Sequence, residues 1–340
     1  MNLLKKLSEA QGPSGNESVV RAIIKKELKP YVDEMYTDKY GNLIARQKGK
    51  GVSVMLAAHM DEVGLMVGEV DSQGKIFISA IGGLEPITLL GENVQLITSK
   101  GKKLEGLITT RDIQDSHELE ELPGMGNLYV DVGMTREEVD KAGVIPGDYV
   151  YIVKDYLELG EGGNFVSGKA LDDRVGCYML IELAKKLKKS KGNMYYVFTV
   201  QEEIGLFGAK TSVYSIDPDY AIVVDVTESG DGKIGGAVKC LGKGPVIVVK
   251  DGEMMTTRCI NKWLFDIARK NKIPFKPDVS DFGTTDALNV AVSKGGLPCG
   301  VVGVPVRNIH TTTSVAHKQD IKDAIKLIEL LLKNPPRICL

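Results

Sequence analysis

The sequence is poor in the residues that announce many kinds of site. It holds one tryptophan, Trp263, and four histidines, His59, His117, His310 and His317, so any imidazole chemistry is drawn from a short set. Five cysteines, Cys177, Cys240, Cys259, Cys299 and Cys339, are scattered and never form a CxxC pair. That pattern signals neither a disulfide framework nor a thiolate zinc site, and buried free thiols are expected. No apolar run is long enough to span a bilayer, and the opening MNLLKKLSEAQG lacks the apolar core of a secretory leader. The expectation is a cytoplasmic protein with no membrane role. Excess charge of one sign is missing too: 43 Lys+Arg against 45 Asp+Glu leave a net charge of -2, without the basic footprint of a nucleic-acid binder.

What is present is enough apolar residue, 43%, to build a proper core over 340 residues, a length that favours two domains. Ser14 and Glu17 have capping-box spacing, and Val20, Ile24 and Leu28 recur every four residues, which predicts an amphipathic helix. The run VSVMLAA at 52–58 has the character of a strand buried on both faces, and it stops at His59-Met60-Asp61-Glu62. From about 67 to 160 the texture changes to short β-rich pieces between glycine-containing turns, with one capped helical turn from Thr135 to Lys141. This reads as a small barrel or sandwich, 67–160, inserted into a larger domain formed by 1–66 and 161–340. The larger domain alternates helix and strand, as in an α/β fold with helices covering a mainly parallel sheet.

Acidic and imidazole side chains follow the apolar strands repeatedly: His59 and Asp61 after VMLAA, Glu202 and Glu203 after VFTV, Asp225 within VVDVT, His310 after VVGVPVRNI. Strand ends in open α/β sheets gather at one crevice, and Asp172 and Asp173, opening the next helix, can reach it. Taken singly, each has a plainer explanation. Adjacent glutamates are usually solvated, Asp172-Asp173 suits a helix N-terminus, and His-x-Asp is short. Asp225 is the hardest to explain away, since a carboxylate among AIVV and V is costly to bury without a charged partner. Together the two histidines and several carboxylates suit borderline-hard divalent ions, and hydrolysis is the chemistry a metal pair roughly 3.5–4 Å apart serves. His117 lies in the acidic stretch RDIQDSHELEEL and reads as surface loop, and His317 reads as a structural histidine or one supporting the site from behind.

The blocks AAHMDEVG, GKALDDRVG, VQEEIGLFGA, VVDVT, GTTDA and VPVRNIHT occur in an order that resembles the M42 family of metallo-aminopeptidases. Relatives of that family include tetrahedral aminopeptidases and proteins named endoglucanases, and the resemblance covers nearly the whole chain. It implies a zinc-exopeptidase-like α/β/α catalytic domain with a mainly parallel central sheet, and a β-barrel-like insertion that serves oligomerisation. It also implies that Asp172 bridges two metal ions, that His59 and Asp225 complete one metal site and Glu203 and His310 the other, and that Glu202 is the general base. Asp61 resembles the acid that orients the ligand imidazole. Asp286 of GTTDA falls close to the pocket, and the first threonine of that block replaces a glycine common among relatives. By the same resemblance the cofactors are two divalent metal ions per subunit, zinc or cobalt with manganese as a further candidate. The partners are short peptides and further copies of the chain, dimers building a tetrahedral dodecamer. The competing reading is an endo-β-1,4-glucanase, which also needs two carboxylates. It has no use for converging histidines, and it usually wants aromatic platforms that one tryptophan supplies poorly.

Overall fold

The computed structural model describes residues 1–114, 122–188, 190–231 and 239–336. His117 falls outside them. The strand Ser53–His59 lies near the middle of an 11-stranded mixed sheet, flanked in parallel by Asn193–Thr199 and Tyr220–Glu228. Cys299–Arg307 continues the parallel set beside Tyr220–Glu228, with Asp225 opposite Gly303. Antiparallel strands extend both edges, Leu43–Gln47 on one side and Ser314–His317 with Phe165–Gly168 on the other.

The unbroken apolar run of the central strand follows from burial on both faces. Val54, Leu56 and Ala58 face a core shared with the helices Asn2–Glu9, Ser18–Leu28, Leu171–Lys186, Arg258–Lys270 and Lys318–Leu332. Met55 and Ala57 face the opposite core, closed by Phe207–Ile216 and Ala287–Ala291 through Ala209, Val213, Ala287 and Val290. The result is a three-layer α/β/α arrangement, and period-two alternation decides which side chain serves which layer. Helix Ser18–Leu28 buries Val20, Ile24 and Leu28, as the spacing predicts.

The capping box expected at Ser14 and Glu17 does not form. Glu17 itself occupies the N-cap position without a side-chain cap, its carboxylate accepting instead from the Gly15 amide. The Ser14 hydroxyl is drawn away to the buried carboxylate of Asp61, whose need for donors outweighs a helix cap. The expectation of free thiols also needs one correction. Cys177 and Cys299 are buried free thiols, but Cys259 is disulfide-bonded, a pairing that widely separated cysteines do not reveal before the chain folds.

After His59 the chain leaves the large sheet and builds a closed antiparallel barrel from Gly64–Val70, Ile76–Ile81, Asn93–Ile97, Lys103–Thr110, Leu128–Asp131 and Tyr149–Ile152. Closure is made by the first and last of these, Leu65 opposite Val150. Leu65, Val67, Val94, Leu96, Ile108 and Val130 alternate inward to fill it. The short helix Arg136–Ala142 carries a complete capping box between Thr135 and Glu138, and Gly143 ends it at a φ of 84° that favours glycine. The chain rejoins the large sheet at Leu157–Leu159. Among the described residues no helix is long and apolar enough to cross a membrane.

Candidate metal centre

Parallel strands end on the same side of a sheet, and that geometry collects the polar residues here. His59 is the last residue of its strand, Asp225 lies within the neighbouring strand, and Glu202 and Glu203 occupy the turn after Asn193–Thr199. His310 follows Cys299–Arg307, in a loop where it holds a left-handed φ of 56°. Asp172 comes from the opening of helix Leu171–Lys186, where Asp172 and Asp173 depart from helical geometry and the bond between them is cis. Five segments far apart in the sequence thereby line one cavity of about 690 Å³ with His59, Asp172, Glu202, Glu203, Asp225 and His310.

Two clusters share one carboxylate. His59 Nε2 lies 3.0 Å from Asp172 Oδ1 and 3.8 Å from Asp225 Oδ1. His310 Nε2 lies 3.5 Å from Asp172 Oδ2 and 3.3 Å from Glu203 Oε2. Within each trio the offered atoms all lie within 4.8 Å of one another. Metal–ligand bonds of about 2.0–2.1 Å in a tetrahedral site set ligand atoms roughly 3.3 Å apart, and the four separations bracket that value. The second oxygen of Glu203, Oε1, is buried and finds no hydrogen-bond partner among the described residues, as a carboxylate awaiting a cation would. The donor set therefore suits divalent ions, and Asp172 belongs to both trios. His59, Asp172 and Asp225 form one, and Asp172, Glu203 and His310 the other.

Crowded carboxylates in a dry place carry the expected electrostatic signature. Burial, reinforced by the Asp225, Asp286 and Glu203 charges, holds the Glu202 carboxyl well above the ordinary range. Asp225 is raised in the same way by burial and by Asp172, and Asp173 by burial and Asp225. Burial alone pulls the His59 imidazole down, but Glu202, Asp172, Asp61 and Asp225 together reverse this and hold it well above its usual value. His310 is raised to about 9, chiefly by its contact with Glu203. Each of these perturbations follows from burying several carboxylates around two imidazoles.

Asp61 stands behind the centre, fully buried. Its backbone carbonyl is 3.1 Å from His59 Nδ1, whereas its carboxylate oxygen is 3.6 Å from the same nitrogen. The carboxylate accepts instead from the Ser14 hydroxyl at 2.6 Å and from the amides of Glu202 and Glu203 at 3.1 and 3.2 Å. Burial works against the charged form, yet His59, Ser14 and the Glu202 amide outweigh it and keep this carboxyl below its ordinary value. Asp286 is buried, accepts a 2.5 Å hydrogen bond from the Thr199 hydroxyl and is raised to about 6 by burial. His317 caps the last helix, accepting from the Gln319 amide, and packs edge-on against Phe165. It is in neither cluster.

Two groups behind the site had no signal in the sequence. Ser14 sits 47 positions before Asp61 with nothing between to link them. Arg174, adjacent to the Asp172-Asp173 pair, is fully buried and donates to the carbonyls of Met60, Leu7, Ala10 and Gly12 and to Glu62, which also pairs with Lys169. An arginine next to a motif reads as ordinary surface until the fold closes over it.

A family model described as M42 glutamyl aminopeptidase matches residues 41–327. The lysyl aminopeptidase of Pyrococcus furiosus is 34% identical over 98% of this chain and 96% of its own. Among solved structures, an aminopeptidase from the archaeon Desulfurococcus kamchatkensis superposes with a TM-score of 0.92 at 35% identity, covering 98% of this chain and 94% of that one. The TET1 peptidase of Pyrococcus horikoshii, described as able to assemble into a tetrahedron or a large octahedral shell, gives 0.87 at 32% identity over 97% and 98% of the two chains.

Proposed function

The chain belongs to the M42 glutamyl aminopeptidase family and is an aminopeptidase, and on that premise we propose that it removes N-terminal residues from short peptides with two divalent metal ions. The observation that carries the reading is the Asp172 carboxylate, which turns one oxygen toward each of two histidines that belong to separate clusters. When bound, the metals polarise the scissile carbonyl and lower the pKa of an attacking water. Zinc or cobalt suits the histidine and carboxylate set, with manganese a further candidate.

The side chains do the rest. His59 and Asp225 would hold one metal, Glu203 and His310 the other, and Asp172 would contribute to both. Glu202 lines the same cavity without belonging to either trio, which leaves its carboxylate free to take a proton from water and return it to the leaving amine. Asp61 orients the imidazole of His59 from behind. The surplus of carboxylates attracts the free α-amino group of a substrate, which favours a chain end over an internal bond.

The relatives' behaviour also suggests an assembly. We read 1–66 with 161–340 as the catalytic domain and 67–160 as the oligomerisation domain, with dimers of this chain building a tetrahedral dodecamer in the cytoplasm. Light scattering on the full chain tests this part, a monomer mass counting against it.

The function itself is tested with a panel of aminoacyl p-nitroanilides and with carboxymethylcellulose, before and after chelator, then with zinc or cobalt restored. Chelator-sensitive release from free aminoacyl substrates, recovered on adding metal, is the expected result. Cellulose cleavage indifferent to chelator, with no peptide activity, would overturn it in favour of the glucanase.

A further inference from the structure

Asp61 meets His59 through its backbone carbonyl, which leaves its carboxylate for a separate task. Its two oxygens accept the backbone amides of Glu202 and Glu203, so it fixes the start of the turn that carries both the residue poised to move the proton and a residue of the second cluster. Gln201, just before them, has a left-handed φ of 56°, so the turn is bent sharply at its entry and is held from Asp61 directly after the bend. What holds Asp61 is Ser14, through a buried 2.6 Å hydrogen bond to the same Oδ2 that accepts the Glu203 amide.

Ser14 is itself fixed through both of its backbone polar groups. Its amide donates to the carbonyl of Glu62, and its own carbonyl accepts from the Tyr149 hydroxyl on the last barrel strand. Gly15 follows at a φ of 85°, and a Cβ there would come within 2.8 Å of that hydroxyl, so the loop runs as close to the barrel as a glycine permits. Asn16 then donates to the Tyr151 hydroxyl at 2.6 Å, and the two tyrosine rings stack with centroids 6.1 Å apart. One short loop thus has its backbone on the barrel and its serine hydroxyl on the carboxylate behind the metal centre.

We propose that Ser14 is a positioning residue for the Glu202–Glu203 turn, acting through the Asp61 carboxylate, and that Tyr149 extends this link to the barrel. The proposal rests on the dimetal reading given above. Without the serine hydroxyl, Asp61 loses one of its donors and is free to rotate toward the histidine. The amides of Glu202 and Glu203 then lose a fixed acceptor, and the Glu203 carboxylate is placed less accurately beside His310. Partners of this kind typically alter metal affinity or activity about 10- to 100-fold.

The test compares the full-length protein with Ser14→Ala, Ser14→Thr and Tyr149→Phe. Three quantities are measured: kcat and KM on an aminoacyl p-nitroanilide, the zinc dissociation constants by competition with a chromogenic chelator, and the thermal midpoint. S14A is expected to lose about 10- to 100-fold in kcat or in affinity for one zinc equivalent, with KM changed less than about twofold. S14T, which keeps the hydroxyl, recovers most of this, and Y149F shows a smaller loss of the same kind. Wild-type kcat and zinc affinity in S14A overturn the proposal, as does an S14T protein impaired equally with S14A. Should S14A fail to fold, Y149F decides, since it leaves every side chain of the centre in place, and unchanged kcat and zinc affinity there overturn the link. A wild-type protein that binds two zinc ions but cleaves no aminoacyl substrate removes the peptidase reading instead, and the zinc constants still judge Ser14.

Discussion

His59 Nε2 lies 3.0 Å from Oδ1 of Asp172, a residue 113 positions away that enters from a different layer of the fold. At this distance either an N–H of the imidazole donates to the carboxylate or both atoms face one shared cation. The Asp225 oxygen 3.8 Å from the same nitrogen adds a third donor, which suits the shared cation.

If Asp172 joins two metals, its loss affects both. Asp172→Asn is expected to retain almost no zinc after dialysis, whereas His310→Ala and Asp225→Asn each retain close to one equivalent per chain. Metal content by plasma emission spectrometry reads this directly. A D172N protein that keeps two equivalents would remove the bridging role.

Glu202 is expected to be separable from metal binding, because it belongs to neither trio. Glu202→Gln should keep two metals and its thermal midpoint while kcat falls by several orders of magnitude, of which general base catalysis itself supplies about 10²–10⁴. Turnover near the wild-type rate would eliminate Glu202 as the proton carrier.

Arg174 tests how far the fold depends on charge buried behind the site. It is fully buried, with four backbone carbonyls and Glu62 as acceptors, and Lys169 holds Glu62 from the other side. Arg174→Ala is expected to cost about 3–5 kcal/mol, since a network partner is removed and its acceptors stay buried. Urea denaturation checks it, and a cost under about 1 kcal/mol would mean that water replaces the guanidinium there.

The Asp231–Arg307 pair ties the end of strand Cys299–Arg307, three residues before His310, to the segment after Tyr220–Glu228. Arg307, with help from the Ser229 hydroxyl, brings the Asp231 carboxyl down from its ordinary 3.8 to about 2. A lowered carboxyl stabilises the folded state above its unfolded value, and the contribution is lost as pH falls from about 3.8 through about 2. Arg307→Gln is therefore expected to lower the urea midpoint by a constant amount from pH 7 to about 5, with the gap narrowing below about 4. The arginine is nearly half exposed, so the gap corresponds to about 1 kcal/mol or less. A gap that widens on acidification would reverse the sign and exclude this origin.

The sequence by itself determined the layers and the donor set. Apolar runs such as VSVMLAA are forced into the middle of a doubly covered sheet because no other place removes both faces from water. Polar residues that end such runs must then lie at strand ends, which is why His59, Glu202, Glu203, Asp225 and His310 were legible. The barrel was legible as a change of texture, since alternation over short segments leaves few ways to bury one face. What only the tertiary structure decided are the relations that no local pattern encodes. Asp172 shared between two histidines, Ser14 taken from a helix cap to serve Asp61, and Arg174 gathering four carbonyls all join residues from distant segments. Their partners are chosen by the cost of leaving a buried polar group unsatisfied, and that cost exists only once the chain has closed around it.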